Sequence, residues 1–374
     1  MAENFTFGRT EEQSMLSGTV REILETNSNL DQVRQMSLTT DAFDRGVWQK
    51  LSEMGVIGLH VPEEYGGAGY GFEEMAVVFE ELGRMVTPVP LLSSLVASTA
   101  ILMAASDSQK SVLLPSIASG ETIATLAVFE QAHGNFRDTT KTSAKPAGET
   151  WVINGTKRFV TDAPNADLFV VVALVGDEVG VFVVDSGADG VAVTSDSSLD
   201  GTRPLGSVEF VDVEIPAESY LGGAVNPDAV QAALDAAVVA MAQEQVGGAQ
   251  RCLEMSVDYA KTRYQFGRAI GSFQAIKHMC ADMLVAVEQA RSVAWHAART
   301  LEDAEESKIS VPLAKSVCSD AYLKAAGDNI QIHGGIGFTW EHDAHLYFKR
   351  AKSTSLLFGS VGSHRDRLGD AIGI

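Results

Sequence analysis

The sequence predicts an α+β fold with an N-terminal helical domain, a central antiparallel β-barrel or sandwich domain, and a C-terminal four-helix bundle. Apolar residues recur at helical spacing up to about residue 122 and again after about residue 223. Between these regions the pattern alternates, with many β-branched residues and turns rich in Gly, Asp, Asn and Pro. A chain of 374 residues is too long for one small core. We therefore predict domains at 1–122, 123–222 and 223–374.

Two helices and one glycine-rich loop stand out in the first domain. Apolar spacing predicts helices at about 72–85 and 90–104. The loop begins at residue 62 and reads Pro-Glu-Glu-Tyr-Gly-Gly-Ala-Gly. It lacks the Lys-Ser/Thr of a P-loop, so its glycines alone are a weak sign of phosphate binding.

The central domain is predicted to contain several short strands. Asn154-Gly155 lies between two β-branched runs and is a strong signal for a type I′ hairpin, so we expect a tight turn there. The predicted strands are 122–128, 151–160, 168–175, 179–184, 191–195 and 207–215.

The last domain is predicted to be an antiparallel helical bundle. Asn226-Pro227 pairs an N-cap residue with proline at the first helical position, and the following helix is packed at alternating steps of four and three residues up to Tyr259. Further helices are predicted at about 273–303, 310–333 and 342–356.

The first two bundle helices meet at a corner that carries cations. The first is predicted to end near Tyr264 and the second to restart after Gly271. Arg263 offers a planar fork for phosphate, Phe266 a ring, and Gln274 an amide able to reach a base edge. Taken alone, these cations are better explained as an ordinary solvated helix corner.

A second stretch changes that interpretation. The segment Gln-Ile-His-Gly-Gly-Ile-Gly from Gln331 closes a later helix with Gly334 and Gly335, where backbone must approach a ligand or a neighbour closely. Together with the Arg-x-x-Phe-Gly-Arg corner and the glycine-rich loop at residue 62, it resembles the acyl-CoA dehydrogenases. Phe159-Val-Thr161 also matches an aromatic-x-Thr element of that family.

The resemblance implies FAD as the cofactor and an acyl-CoA as the substrate. It assigns the pyrophosphate and adenine of FAD to Arg263, Phe266, Gln274 and the glycine segment. It places the aromatic ring of Phe159 and the hydroxyl of Thr161 against the flavin. In dimers of the family, the FAD lies across a subunit interface, so the corner and the glycine segment serve the neighbouring chain.

The usual catalytic base is absent. Removal of an α proton requires a carboxylate opposite the flavin, and the resemblance places that base at Phe358, in a turn that ends at Ser360 and that holds the flavin in the family. The family's alternative base position is Ala237, followed by Val238 where an Arg often binds substrate. Glu244 shares the helix face of Ala237 but lies about 10 Å further along, so it is a minor candidate for a displaced base.

The central domain also departs from the family pattern. Phe129 replaces a threonine that binds the flavin ring, and Asn135 replaces a serine that meets the CoA ester. The chain therefore keeps the half of the FAD site that it gives to its neighbour and has lost much of the half it would use itself.

This asymmetry suggests a non-catalytic subunit of a heteromeric acyl-CoA dehydrogenase, an α2β2 assembly with a base-bearing sibling. It is similar to subunits of bacterial enzymes that dehydrogenate sterol side-chain CoA esters. The alternatives are an active homotetramer with a displaced base and a helical scaffold that binds no flavin. The resemblance also implies electron-transfer flavoprotein as the redox partner.

Charge and composition limit the other partners. The net charge of −21 argues against nucleic acid and anionic membranes, and a CoA ester would have to be bound by local cations. The three cysteines lack metal-ligand spacing, so we expect no metal site. The N-terminus has no basic segment followed by an apolar run, and we expect a cytoplasmic protein.

Overall fold

The computed structural model describes residues 8–132 and 134–374, in which the helical, β and helical regions follow one another as predicted. The helices are α1 Glu11–Asn27, α2 Leu30–Met36, α3 Arg45–Glu53, α4 Phe72–Met85, α5 Leu91–Ala104, α6 Asp107–Ala118, α7 Phe136–Thr139, α8 Pro227–Thr262, α9 Gln274–Thr300, α10 Ser307–His333, α11 Ala344–Thr354 and α12 Val361–Ile372. The strands are β1 Ala124–Ala127, β2 Ser143–Ala147, β3 Thr150–Thr161, β4 Leu168–Val175, β5 Glu178–Asp185, β6 Val191–Asp196, β7 Leu205–Pro216, β8 Tyr264–Gln265 and β9 Arg268–Ala269.

The chain forms two compact units. The helical unit comprises Met1–Arg34, Phe72–Thr87 and Val238–Ile374, and the sheet unit comprises Gln35–Gly71 and Pro88–Ala237. The division into three domains at residues 122 and 222 stays a prediction. No helix of the described ranges is long and apolar enough to cross a membrane.

The sheet unit is built on a seven-stranded sheet in the order β1-β4-β2-β3-β7-β6, with β5 paired to β4. Most pairs are antiparallel, as predicted, but β1 and β2 both run parallel to β4. The sheet is therefore mixed rather than purely antiparallel. The reason is topological: β4 lies between β1 and β2, and the β2–β3 hairpin separates it from them along the chain, so no tight turn joins β4 to either strand.

The predicted hairpin at Asn154-Gly155 is wrong. Both residues lie inside the continuous strand β3, and the β2–β3 turn falls at Gly148 and Glu149 instead. Gly155 has φ +149°, and a Cβ there would lie 2.4 Å from the Thr142 hydroxyl oxygen. The glycine therefore allows a register shift in β3 and the close approach of a neighbouring segment. Both are common reasons for a glycine within a strand.

One face of the sheet encloses an aromatic core. Phe182 stacks on Tyr220 with ring centroids 4.6 Å apart, and Trp151 meets both rings edge-on. Phe169 and Phe210 are buried in the same cluster. Such aromatic packing fixes β3, β4, β5 and β7 against one another.

In the helical unit, α4 and α8 approach closely because glycines line their contact. A Cβ on Gly83 would lie 2.0 Å from the carbonyl oxygen of Glu244, and one on Gly247 would lie 1.8 Å from that of Glu80. Only glycine fits at such distances. We call the apolar cluster of α4, α8, α9 and α10 in this region the bundle core; it consists largely of alanine and valine, including Val239.

The helices of this unit match the predicted bundle, with small differences at their ends. The first bundle helix ends at Thr262, and the second begins at Gln274. The third begins at Ser307, three residues before the predicted start. Helix ends are the least certain part of any sequence-based assignment because side-chain caps and local turns set them.

Candidate functional site

The corner after α8 is a two-residue hairpin. Tyr264 pairs with Ala269 and Gln265 with Arg268, so Phe266 and Gly267 form the turn with φ +53° and +77°. The left-handed conformation is natural for glycine but strained for phenylalanine. It directs the chain so that Phe266 is 91% exposed.

The side chains of the corner face solvent. Among residues 8–132 and 134–374, the Arg263 guanidinium makes no hydrogen bond or ion pair. Arg268 instead lies over the Phe273 ring, 4.1 Å from its centroid. Gln274 is exposed at the first position of α9, so the corner presents a cation, a ring and an amide together.

The glycine turn after α10 also offers open backbone. Gly334 caps α10 with φ +65°, and its N–H donates to the carbonyls of Gln331 and Ile330. A Cβ on Gly334 or Gly335 would meet nothing within 4 Å. The backbone here is accessible, and the Gln331 side chain is exposed beside it.

Three adjoining rings, which we call the ring stack, connect the end of α8 before the corner to the glycine turn. Tyr259, in the last turn of α8, stacks on His333 with centroids 4.3 Å apart. His333 in turn lies 4.4 Å from the His342 ring, which precedes α11. Burial lowers the pKa of both histidines below the ordinary value, so both rings are neutral near pH 7.

The turn in which the family resemblance predicts the base carries an apolar ring instead. Phe358 adopts φ +57° and packs against the bundle core. Its carbonyl accepts a hydrogen bond of 2.9 Å from His364 Nε2. The buried Lys315 ammonium donates to the carbonyls of Leu357, at 2.7 Å, and Thr354, at 2.5 Å. Side chains therefore hold the backbone of this turn at Phe358 itself and at the residues before it.

Ser360, the last residue of this turn, acts as a helix cap. It is the N-cap of α12, and its hydroxyl accepts a 3.1 Å hydrogen bond from the Ser363 N–H. This is the ordinary task of a serine at a helix start.

Glu244 is paired inside the bundle. Its carboxylate lies 2.7 Å from Arg350 Nη1, and both side chains are only 2% exposed. The next residue, Gln245, donates to the hydroxyls of Ser319 and Thr354. These contacts tie α8 to α10 and α11, and they engage the Glu244 carboxylate in an ion pair.

In the sheet unit, Phe159 and Thr161 end strand β3. Phe159 has φ +57° at a register shift, which leaves its ring 37% exposed. Thr161 is buried; its hydroxyl accepts from Ser93 at 3.0 Å, and its carbonyl accepts from the Thr125 hydroxyl at 2.7 Å.

A buried ion pair holds the segment that contains Phe129 against β3. The Lys157 ammonium donates to Glu130, at 2.7 Å, and to the Val128 carbonyl, at 3.1 Å. The Phe129 carbonyl accepts a 2.7 Å bond from the Arg158 N–H. Burial lowers the pKa of Lys157 to about 8, although the Glu130 carboxylate acts in the opposite direction.

The other residues that depart from the family pattern have structural roles in this chain. Asn135 caps the short helix α7, where its side-chain oxygen accepts from the Arg137 N–H at 3.0 Å. Ala237 and Val238 are fully buried in α8. In the described part of the chain, no group of three or more His, Cys, Asp or Glu is arranged to hold a metal ion.

Among the residues predicted to bind FAD, the structure connects the corner with the glycine turn through the ring stack. Phe159 and Thr161 belong to the sheet unit, where they lie two residues apart in β3. Sequence reasoning missed the ring stack and the roles of Lys315 and His364. A signal existed for the stack, because Tyr259 lies one helical turn before Arg263 and His333 directly precedes Gly334.

Comparison with known proteins agrees with this architecture. Family models of the N-terminal, middle and C-terminal domains of acyl-CoA dehydrogenases match residues 10–121, 125–213 and 228–373. Acyl-CoA dehydrogenase IpdE2 of Mycobacterium tuberculosis is 34% identical over 351 residues, which is 94% of each chain. The chain belongs to the acyl-CoA dehydrogenase family, whose members are FAD-dependent oxidoreductases acting on a CH–CH bond.

Two solved structures are similar over almost the whole chain. A chain of the ChsE4–ChsE5 complex from Mycobacterium tuberculosis is 29% identical with a TM-score of 0.89, covering 97% of this chain and 98% of that one. A chain of the Tcur3481–Tcur3483 steroid ACAD is 32% identical with a TM-score of 0.88 and the same coverage.

The helical unit fits the diphosphate end of FAD. The Arg263 guanidinium is exposed and has no partner among the described residues, and the backbone of Gly334 and Gly335 is open; both are groups of the kind that bind phosphate oxygens. The Phe266 ring is exposed beside them.

Proposed function

We propose that this chain is a non-catalytic subunit of a heteromeric acyl-CoA dehydrogenase and completes the FAD site of a base-bearing sibling. The observation that carries the proposal is Phe358. An apolar ring stands at the family's base position and packs against the bundle core. A phenyl ring cannot accept the α proton of an acyl thioester.

The displaced-base alternative is disfavoured by the burial of Glu244. A general base must reach the proton that it abstracts, whereas the Glu244 carboxylate is 2% exposed and engaged by Arg350. We therefore assign Glu244 a structural role in the bundle.

The contribution to the sibling subunit comes from the corner and the glycine turn. FAD, when bound, accepts the hydride that leaves the β carbon of the acyl-CoA. Arg263 would pair with the diphosphate, the backbone of Gly334 and Gly335 would lie beside it, and Phe266 and Gln274 would contact the adenine end. The α proton would be removed by a carboxylate of the sibling, and electron-transfer flavoprotein would reoxidise the flavin.

The proposed substrate class is a bulky sterol side-chain CoA ester, and the proposed assembly is α2β2. Support comes from two similar solved structures, each of which is named as a pair of different chains, one of them a steroid ACAD.

Flavin occupancy tests the proposal. The chain expressed alone should carry little FAD, and the complex with its sibling should be yellow. Arg263→Ala should release FAD from the complex, because losing one partner of a close charge pair costs about 2 to 5 kcal/mol. Lys261→Ala removes the same charge from the exposed end of α8 and should retain FAD.

Absorbance at the flavin band and the protein concentration give the stoichiometry for each sample. Full occupancy of the isolated chain would support the homotetramer. A colourless complex would support the flavin-free scaffold. Stoichiometric FAD in the Arg263→Ala complex would show that the corner is structural.

A further inference from the structure

The ring stack of Tyr259, His333 and His342 joins three segments of the helical unit. Tyr259 belongs to α8, His333 ends α10, and His342 precedes α11. The Tyr259 and His333 rings are nearly parallel, with 29° between their planes, and the two imidazoles are tilted by 54°. Displacing one ring therefore disturbs the packing of all three segments.

The residues that carry the first two rings adjoin, along the backbone, the two elements that would hold the FAD diphosphate. The Tyr259 carbonyl accepts a 2.8 Å bond from the Arg263 N–H, and the Arg263 carbonyl accepts one from Ile270 that closes the corner. His333 directly precedes Gly334, and its Nδ1–H donates to the Asn329 carbonyl at 2.8 Å. The stack thus sets the position of the corner relative to the glycine turn.

The third ring acts as a hydrogen-bond acceptor. His342 Nδ1 accepts a 3.1 Å bond from the Ala344 N–H at the start of α11. This arrangement requires an unprotonated Nδ1, because an imidazolium has two N–H donors and no acceptor. Protonation would set the Nδ1–H against the Ala344 N–H and loosen the end of the stack.

We propose that Tyr259, His333 and His342 are positioning residues that hold the corner and the glycine turn in register for the diphosphate of FAD. The proposal rests on the proposed function, since it concerns the same half of the FAD site, formed by the corner and the glycine turn and called here the half-site. It adds that this half-site is sensitive to acid.

The charged surroundings determine the direction of that sensitivity. His342 faces Asp343, His345 and Arg34, and Arg34 pairs with both Asp343 and Asp31. For His333, the neighbouring titratable groups are Tyr259 and His342, and Lys349 lies near His345 and over the Trp340 ring.

The pKa values of His333, His342 and His345 are all lowered, and the largest cause for each of them is burial. Asp343 acts in the opposite direction for His342 and His345, and the bond to the Asn329 carbonyl does so for His333. In the unfolded chain these groups titrate at about 6.5. The stability of the region is therefore fully present above about pH 6.5 and declines as the pH falls through that value towards the lower folded pKa.

Variants of Tyr259 separate ring stacking from other effects. Tyr259→Ala removes the contact between the Tyr259 and His333 rings, whereas Tyr259→Phe keeps the ring. In the complex with the sibling, Tyr259→Ala should weaken FAD binding by about 2- to 12-fold, the effect of losing one aromatic pair. It should also speed amide hydrogen exchange in both 263–273 and 334–338, and Tyr259→Phe should match the wild type in both measurements.

The pH profile distinguishes positioning from general support of the fold. FAD affinity of the wild-type complex should fall between pH 7.5 and pH 5.5. His342→Asn supplies an amide oxygen for the Ala344 N–H and does not titrate. The change in FAD affinity of the variant complex over this pH range should therefore be smaller than that of the wild-type complex by at least a factor of two.

Three results would overturn the proposal. If Tyr259→Ala speeds amide hydrogen exchange only in 263–273 of the FAD-bound complex, the corner and the glycine turn are not coupled. If the FAD affinity of the wild-type complex does not change between pH 7.5 and pH 5.5, the protonation of His333 and His342 does not affect the FAD site. A complex that binds no FAD while both segments still respond together would refute the proposed function and the ligand, and would leave only a structural coupling.

Discussion

Glu244→Gln tests whether the buried ion pair of the bundle is structural or catalytic. The substitution keeps the shape of the side chain and removes its charge, so the Arg350 guanidinium remains buried without its carboxylate. The two groups lie 2.7 Å apart and each is 2% exposed. We expect a loss of about 3 to 5 kcal/mol in the free energy of unfolding, which is typical when one partner of a buried pair is removed.

That loss translates into a measurable fall in melting temperature. Unfolding entropy is about 2.1 cal/mol/K per residue, or about 0.8 kcal/mol/K for 374 residues. Division gives an expected fall of about 4 to 6 °C. Differential scanning calorimetry of the full chain is the measurement.

An exposed ion pair of the same length provides the control. Glu305 lies 2.7 Å from Lys308, with side-chain exposures of 86% and 59%. Because surface pairs contribute about 0 to 1 kcal/mol, Glu305→Gln should shift the melting temperature by about 1 °C or less. The double variant Glu244→Leu/Arg350→Met should recover most of the loss, since an apolar pair of similar volume replaces the buried charges.

Equal shifts for Glu244→Gln and Glu305→Gln would refute the argument from burial. Loss of acyl-CoA oxidation in Glu244→Gln with an unchanged melting temperature would instead identify Glu244 as a displaced base.

Two further predictions concern the closed turn and the helix contact. Phe358→Glu in the isolated chain should give no acyl-CoA oxidation with an artificial electron acceptor, because Phe129 stands where the family resemblance implies a flavin-binding threonine. A base alone would add about 10² to 10⁴ in rate. Turnover near that of ordinary family members would refute the degenerate-subunit proposal. Gly247→Ala should lower the free energy of unfolding by at least about 1 to 3 kcal/mol, because its Cβ would lie 1.8 Å from the Glu80 carbonyl oxygen. Gly327→Ala meets nothing within 4 Å in α10 and should stabilise the chain by about 0.5 to 1 kcal/mol, so chemical denaturation of both variants separates crowding from helix propensity.

The sequence predicted the features that depend on neighbouring residues. Helical spacing fixes the bundle helices within a few residues of their observed ends, because the period of apolar side chains is a local property. The Arg263 corner and the Gly334 turn were recognisable because each motif occupies one short stretch. The absence of a carboxylate at Phe358 was visible for the same reason.

Only the tertiary structure decided the features whose partners are distant along the chain. Glu244 and Arg350 are 106 residues apart, and their pairing depends on how α8 and α11 pack. The parallel pairing of β1 with β4 depends on the path of the strands between them. Gly155 lies in a strand and not in a turn because it pairs with Phe210 of β7. The stack of Tyr259 on His333 likewise requires two helix ends to meet. Residue periodicity carries no information on which distant backbone approaches a given side chain, so these contacts are determined by the folded packing alone.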